Sequence, residues 1–290
     1  NEHILDGLFR MLIISVFTYV FVSKQVTLSK LIVLSFIINL INDSLKNIAS
    51  LIPGLFYSKS LIKKIDEFYS IDLSDDGSLN TNNYDIEVSN LSFGYNSLNN
   101  IINNLNLRIK RGEKVIIKGE SGKGKSTLCR IFNKELDYKG SIKLGSIELS
   151  QVSLDNLKSQ VTYSSQDEYI FNGTIKDNIL LGRKVSDEEF ERIATICCLE
   201  RIIRNRPFKY DTYLYDGGKE LSGGERNLII LARSLVNNSN IYIFDETLKE
   251  LNDSVENQVL KNLFNSLKDK TIIYVSHKNK KNYFGRVIYV

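Results

Sequence analysis

The stretch VIIKGESGKGKST, Val115 to Thr127, decides how the rest of this 290-residue chain reads. Its first four residues form a short apolar run of strand character, and GESGKGKST fits the pattern G-x-x-x-x-G-K-[ST] from Gly119 to Ser126. Glycines there let backbone N–H groups turn inward and cradle phosphate oxygens. Lys125 reaches the β- and γ-phosphates, and the following helix points its N-terminus at the anion. The Ser126 hydroxyl is a hard oxygen ligand suited to Mg2+. Such a match arises by chance in about one chain in a hundred of this length, so a glycine-rich turn without a ligand is the weaker reading.

Outward from this loop, short β-branched runs alternate with helical ones. Asp85–Phe93, Leu105–Ile109, Val115–Lys118 and Ile142–Leu149 read as strands. Leu128–Asn133, Glu188–Cys198 and Arg226–Val236 read as helices. Ile241–Phe244 and Thr271–Val275 are fully apolar, as strands covered on both faces are. The alternation predicts an α/β domain with a largely parallel core sheet. The strand IYIF runs into two carboxylates, Asp245 and Glu246. The first stands where a phosphate-loop fold keeps its Mg2+-side acid, and the second can polarise a water for attack on a γ-phosphate. LSGGE, Leu221 to Glu225, opens the helix that follows, a second glycine-rich helix N-terminus and so a second anion site.

With these residues in view, Asp85 to Val290 resembles the ATP-binding cassette (ABC) family. LSGGE resembles that family's signature motif, and Thr212 to Gly218 (TYLYDGG) is similar to the exporter-type T-x-V-G-E-x-G before it. Gln166 in YSSQDEYIFNGTIKDNI resembles the Q-loop glutamine, and His277, two residues after TIIYV, resembles the switch histidine. Tyr95 in LSFGY stands where the family keeps the aromatic that stacks on adenine.

The resemblance implies a P-loop NTPase cassette with a parallel core sheet, an antiparallel β subdomain and a helical subdomain. It implies that Gly119, Glu120, Ser121, Gly122, Lys123, Gly124, Lys125, Ser126 and Thr127 hold the phosphates of ATP, with Ser126, Gln166 and Asp245 on Mg2+. Leu221, Ser222, Gly223, Gly224 and Glu225 would face the γ-phosphate of ATP held by an opposite subunit. Glu246 would be the general base, His277 would contact the γ-phosphate, and Gln166 would couple the site to a membrane domain. The sequence also departs from the family. Its SALD is KELN here, Lys249 to Asn252, so Asn252 stands at the aspartate position and communication between two ATP sites is in question. Glu225 replaces the commoner glutamine, and the chain stops after RVIYV, earlier than most cassettes.

The first seventy residues have a different composition. Met11–Val22 and Leu31–Asn42 carry no charge, and the second run extends from Leu28 to Ile52 if Lys30, Asp43 and Lys46 are tolerated. Those charges suit a bundle interior, pore or interface and not lipid. The reading expects two transmembrane helices over 1–73, with Ser23–Gln25 as the outer turn and Lys59, Lys63 and Lys64 marking the cytoplasmic end. The alternative is a pair of buried helices in a soluble domain. A polar linker is expected over 74–84 and the cassette over 85–290.

Overall the chain is 42% apolar and 25% charged, with two prolines, which excludes disordered and collagen-like classes. A net charge of +4 argues against a nucleic-acid partner. Cys129, Cys197 and Cys198 make a poor disulfide framework and read as small buried residues. The chain opens on Asn1, as a fragment or processed product would.

These observations lead to the ATP-hydrolysing half of an exporter, with Mg-ATP, a second cassette in a homo- or heterodimer, further membrane helices, the lipid bilayer and a transported substrate as partners. The place expected is a cell membrane, multi-pass, with a cytoplasmic nucleotide-binding domain. A peptide or bacteriocin-like cargo is the favoured guess. The rivals are a soluble ABC ATPase acting on nucleic acid or ribosomes, and a hydrolytically weak subunit of a heterodimer.

Overall fold

The structure, a computed structural model, describes residues 11, 14–20, 22, 27–69, 77–95, 99–165, 168–278 and 283–290. It divides into two compact units, Asn1–Leu73 and Ser74–Val290.

In the first unit, residues 14–20 are helical, and a single helix α1 runs from Leu28 to Tyr69. At 1.5 Å per residue its 42 residues span about 63 Å, roughly twice a bilayer's hydrocarbon core. The second apolar run was expected to end at Ile52, but α1 continues through Pro53 for another four turns or so. A helix among lipid or other helices tolerates such a proline. Among the described residues α1 alone is long and apolar enough to cross a membrane, over Ile32–Asp66. The first expected span, Met11–Val22, is described only in pieces.

The apolar side chains of α1, Phe36, Leu55 and Phe56 among them, stand exposed. Ser35, Asn39, Asn42, Asp43, Lys46, Asn47 and Ser50 recur at three- and four-residue spacing. They make one polar stripe along an otherwise apolar helix.

The second unit is built on a five-stranded parallel sheet of order β11-β3-β10-β9-β6 (Arg286–Tyr289, Lys114–Lys118, Thr271–Val275, Ile241–Asp245, Val161–Ser164). Every residue of β9 and β10 is buried, as the unbroken apolar runs predict. Alternate residues enter two cores. Ile116, Tyr242, Phe244, Ile272 and Tyr274 pack with α5 (Asp187–Ile196), α7 (Gly223–Val236) and α8 (Asp253–Ser266). Val115, Ile117, Ile243, Ile273 and Val275 pack with α2 (Lys125–Phe132) and an antiparallel sheet of order β2-β1-β4-β5. That sheet comprises β1 (Ile86–Phe93), β2 (Ile102–Ile109), β4 (Lys139–Leu144) and β5 (Ile147–Glu148).

The remaining described elements are the short helices α3 (Leu154–Gln160), α4 (Ile175–Leu180) and α6 (Glu200–Ile203), and the small ribbon β7 (Gly173–Thr174) with β8 (Tyr213–Leu214). The three cysteines are free and buried.

Several boundaries differ from the sequence reading for local reasons. Ile142–Leu149 is not one strand but the hairpin β4-β5, because Gly145 takes a left-handed φ of +66° between them. β2 begins three residues early, at Ile102, where its asparagines hide the alternation. α5 ends at Ile196, since Cys198 adopts a φ of +53°. α7 starts at Gly223, before the expected Arg226, because Ser222 caps it.

The described part of the expected linker, 77–84, packs within the second unit. The Ser153 amide donates to the Leu79 carbonyl at 3.0 Å, and Thr81 and Tyr84 are buried.

Ile273 lies in β10 opposite Val115 and Ile243, fully buried. Truncation there removes about three carbons from a close-packed site, so Ile273→Ala is expected to destabilise the second unit by about 2–5 kcal/mol. Urea unfolding followed by tyrosine fluorescence measures this, and a loss under about 1 kcal/mol contradicts the packing described.

Candidate functional site

Three neighbouring strands end together. Ile117 of β3 pairs with Val275 of β10, and Val275 with Asp245 of β9. The residues just beyond, Lys118–Gly119, Ser276–His277 and Glu246, therefore gather at the carboxyl edge of one sheet, where α/β folds hold ligands.

The 119–124 loop leads from β3 into α2. Gly124 caps the helix with a φ of +93°, and a Cβ there would stand 2.8 Å from Ile101 Cγ2, so glycine alone fits. No side chain caps this first turn, and its N–H groups remain for an anion. Lys125 is buried, and its Nζ donates to the carbonyls of Gly119 (3.0 Å) and Glu120 (2.7 Å), which curls the loop over the ammonium. Glu120, Ser121 and Lys123 are exposed on the loop's rim. Thr127 is buried, and its hydroxyl lies 3.4 Å from Tyr95 Oη. The Tyr95 ring is 56% exposed, held edge-on by Phe93 at 4.9 Å and touched by Arg130. It thus offers an open aromatic face beside α2.

Asp245 is buried. Its Oδ2 accepts from Tyr163 Oη at 3.2 Å, while Oδ1 finds no partner among the described residues. Burial pushes its carboxyl above the ordinary range, against the Ser126 and Tyr163 hydroxyls and the Lys125 charge, which favour the anion. An orphaned buried carboxylate oxygen beside a serine hydroxyl suits a hard cation. Ser126 and Asp245 therefore fit Mg2+. Among the described residues no group of three or more His, Cys, Asp or Glu forms a metal cage, and Mg2+ needs only one or two protein oxygens with phosphates and water. Gln166, the third expected metal ligand, lies outside the described residues.

Glu246 follows with a left-handed φ of +53°, costly for a non-glycine residue at about 1–3 kcal/mol. Its amide donates to the Val275 carbonyl at 3.2 Å, and the Lys249 amide closes the turn onto the Glu246 carbonyl at 3.0 Å. Its carboxylate is paired twice, Oε1 with His277 Nε2 at 2.8 Å and Oε2 with Lys249 Nζ at 2.9 Å. Burial opposes its charge, yet Lys249, His277 and Lys125 outweigh it and hold the carboxyl below the ordinary range. Glu246 is thus a charged acceptor within reach of the phosphate loop.

The LSGGE segment is organised differently. Leu221 is buried, and Ser222 caps α7 in a capping box with Glu225. The Ser222 amide donates to Glu225 Oε2 at 2.9 Å and the Glu225 amide to Ser222 Oγ at 3.2 Å. Glu225 Oε1 also takes an ion pair from Arg206 at 2.8 Å. Burial opposes the Glu225 charge, but Arg206 and Ser222 keep its carboxyl below the ordinary range. A Cβ on Gly223 would overlap the Glu250 carboxylate, and one on Gly224 would crowd Leu251. The glycines of this helix start thus pack on the turn after β9, and its glutamate on Arg206.

Sequence reasoning passed over three residues. Arg226 donates to the carbonyls of Gly217 and Gly218, tying TYLYDGG to α7. Buried Arg233 donates to the Tyr169 and Asn178 carbonyls at 2.9 Å, which holds the segment after Gln166. Its signal was a charge inside the apolar run LIILARSLV. Lys249 carried none, because it occupies a position read only as a departure.

The sequence pattern of a family described as "ABC transporter" matches residues 102–249. The lactococcin-G-processing and transport ATP-binding protein LagD of Lactococcus lactis subsp. lactis is 33% identical over 265 residues, covering 88% of this chain and 37% of that protein. The pediocin PA-1 transport/processing ATP-binding protein PedD of Pediococcus acidilactici is 30% identical over 271 residues, covering 90% and 37%. A solved bacterial Atm1-family ABC exporter with ATP bound superposes with a TM-score of 0.69 at 29% identity, over 77% of this chain and 41% of that one. The chain thus spans just over a third of the length of these curated relatives.

If Tyr95 stacks on a nucleotide base, Tyr95→Ala weakens ATP binding by about 1–2 kcal/mol, as one base–aromatic contact is worth about 1–3. Titration with a fluorescent ATP analogue reads this directly; equal affinity of variant and parent removes Tyr95 from the site.

Proposed function

Since this chain belongs to the ABC transporter family, we propose that it is the ATP-binding and ATP-hydrolysing part of an exporter half, coupling Mg-ATP hydrolysis in a cassette dimer to export, with a peptide as the favoured cargo. The observation that carries the reading is the convergence of Lys125, Asp245, Glu246 and His277 at the ends of three adjacent strands. The peptide cargo rests on the similarity to LagD and PedD, transport and processing proteins for lactococcin G and pediocin PA-1. The polar stripe of α1 supports its packing against further membrane helices. The same helix, long and apolar enough to cross a membrane, weighs against a soluble ATPase acting on nucleic acid or ribosomes. The units proposed are a membrane segment over 1–73, a short connection, and a cytoplasmic cassette to residue 290.

In this mechanism Lys125 exchanges its loop carbonyls for phosphate oxygens, neutralising charge that would otherwise repel the carboxylates. Tyr95 takes the base, and the first turn of α2 donates its N–H groups to phosphate. Ser126 and Asp245 would hold Mg2+, which neutralises charge on the transferring phosphoryl group. His277 turns from Glu246 to the terminal phosphate. Glu246 then accepts a proton from the attacking water through Oε1. Ser222, Gly223 and Gly224 present the start of α7 to the nucleotide of a second cassette, an identical or a related chain, and closing the two on ATP drives the membrane change.

Glu246→Gln is expected to keep ATP binding while hydrolysis falls by about 10²–10⁴-fold, because an amide is a far poorer base. Phosphate release and nucleotide binding on the 290-residue chain in detergent separate the two effects, and near-parental turnover removes Glu246 as the base. Lys125→Ala should instead abolish nucleotide binding. Ser222→Arg should leave binding to the single chain intact and block ATP-dependent dimerisation on size exclusion; loss of binding in the single chain overturns the assignment to an opposite subunit.

A further inference from the structure

Glu246 has two carboxylate oxygens and, in this structure, two side-chain partners on different loops. His277 stands after β10, while Lys249 closes the very turn that holds Glu246, three residues on. The difference decides what happens when His277 leaves: Lys249 moves with Glu246, whatever the loop after β10 does. We propose that Lys249 is a positioning residue for hydrolysis, holding Oε2 of Glu246 so that Oε1 stays aimed at the attacking water once His277 turns to phosphate.

This inference rests on the reading of Glu246 as the general base. Three observations support it. The turn places Lys249 by main-chain geometry, through its amide on the Glu246 carbonyl at 3.0 Å and the left-handed φ of Glu246. The side-chain contact is short, 2.9 Å, and Glu246 is only 17% exposed, so little water competes for its oxygens. The third is chemical. A glutamate has three rotatable side-chain bonds, and a base held at one oxygen loses little further freedom when it reaches the reacting geometry. The family's pattern has a small serine here, so this chain carries an aiming device of its own. Lys249 is itself 54% exposed, and such a pair adds little to folding, so removing it leaves a folded protein.

The test uses the 290-residue chain in detergent with Lys249→Met, Lys249→Gln and Lys249→Arg, each checked for an unchanged thermal unfolding curve. Both Met and Gln variants should lose about tenfold in kcat with KM for ATP unchanged, and Arg should restore most of the loss. Within Glu246→Gln, adding Lys249→Met should cost nothing further, since nothing remains to be aimed. Parental or higher kcat in Lys249→Met, a rise in KM in place of a fall in kcat, or an additive loss in the double variant each overturns the proposal. If Glu246→Gln alone keeps full turnover, the reading of the base has failed, a result distinct from an active Lys249→Met beside an inactive Glu246→Gln.

Discussion

The alignment of Ile117, Val275 and Asp245 across β3, β10 and β9 is the constraint on which the rest of the structure depends. These strands are buried on both faces, and their alternate residues belong to two separate cores. A slip of one residue would send each side chain into the other core, so the register is strongly specified. Because the register is fixed from inside, the polar residues directly after each apolar run arrive at one edge together. The 119–127 loop, the two adjacent carboxylates and His277 are gathered there whatever contacts they then make with one another. Hydrophobic burial does it, from a distance of a few residues.

At that edge the two adjacent carboxylates are driven apart. Asp245 belongs to the buried strand, where desolvation raises its carboxyl and Oδ1 has no partner among the described residues. Glu246 has left the strand by a left-handed residue and meets Lys249 and His277, which lower its own. Environments that separate two like groups also separate their roles. The first is a carboxyl whose charge a cation would stabilise, and the second an ionised acceptor. The backbone strain at Glu246 is what turns its side chain out of the sheet and into reach of His277.

The parallel core and the phosphate loop were legible because both depend on strictly local patterns: an apolar run of five residues, glycines at fixed spacing, a capping serine. Boundaries were less so. Gly145 splits an apparently continuous strand, and Asn103, Asn104 and Asn106 conceal the outward face of β2. The apolar run ends at Ile52, whereas the helix carries on through Pro53 to Tyr69, past where composition marks it. Glu225 was read as part of an anion site; its carboxylate is in fact engaged by Ser222 and Arg206, a use that only the capping geometry and a distant arginine reveal. Arg226, Arg233 and Lys249 act on backbone or side chains brought close by tertiary structure, which spacing along the chain does not encode.

Asn252 stands where the family keeps an aspartate, and its structural setting limits what that exchange costs. Its side chain caps α8, accepting from the Val255 amide at 3.0 Å, a task asparagine and aspartate perform about equally. The turn before it is secured independently. Buried Glu256 accepts from Tyr274 Oη at 2.9 Å and from Lys278 Nζ at 2.8 Å, and the same Lys278 donates to the Leu251 carbonyl at 2.8 Å. A buried carboxylate stripped of its cation costs about 3–5 kcal/mol, so Lys278 cannot easily let go. It sits next to His277, so its ammonium group ties the turn after β10 to the 246–252 turn beside the Glu246–His277 pair. The link through Glu256 and Lys278 thus adds to the direct Glu246–His277 pair, and the exchange at Asn252 removes a negative charge without loosening either connection.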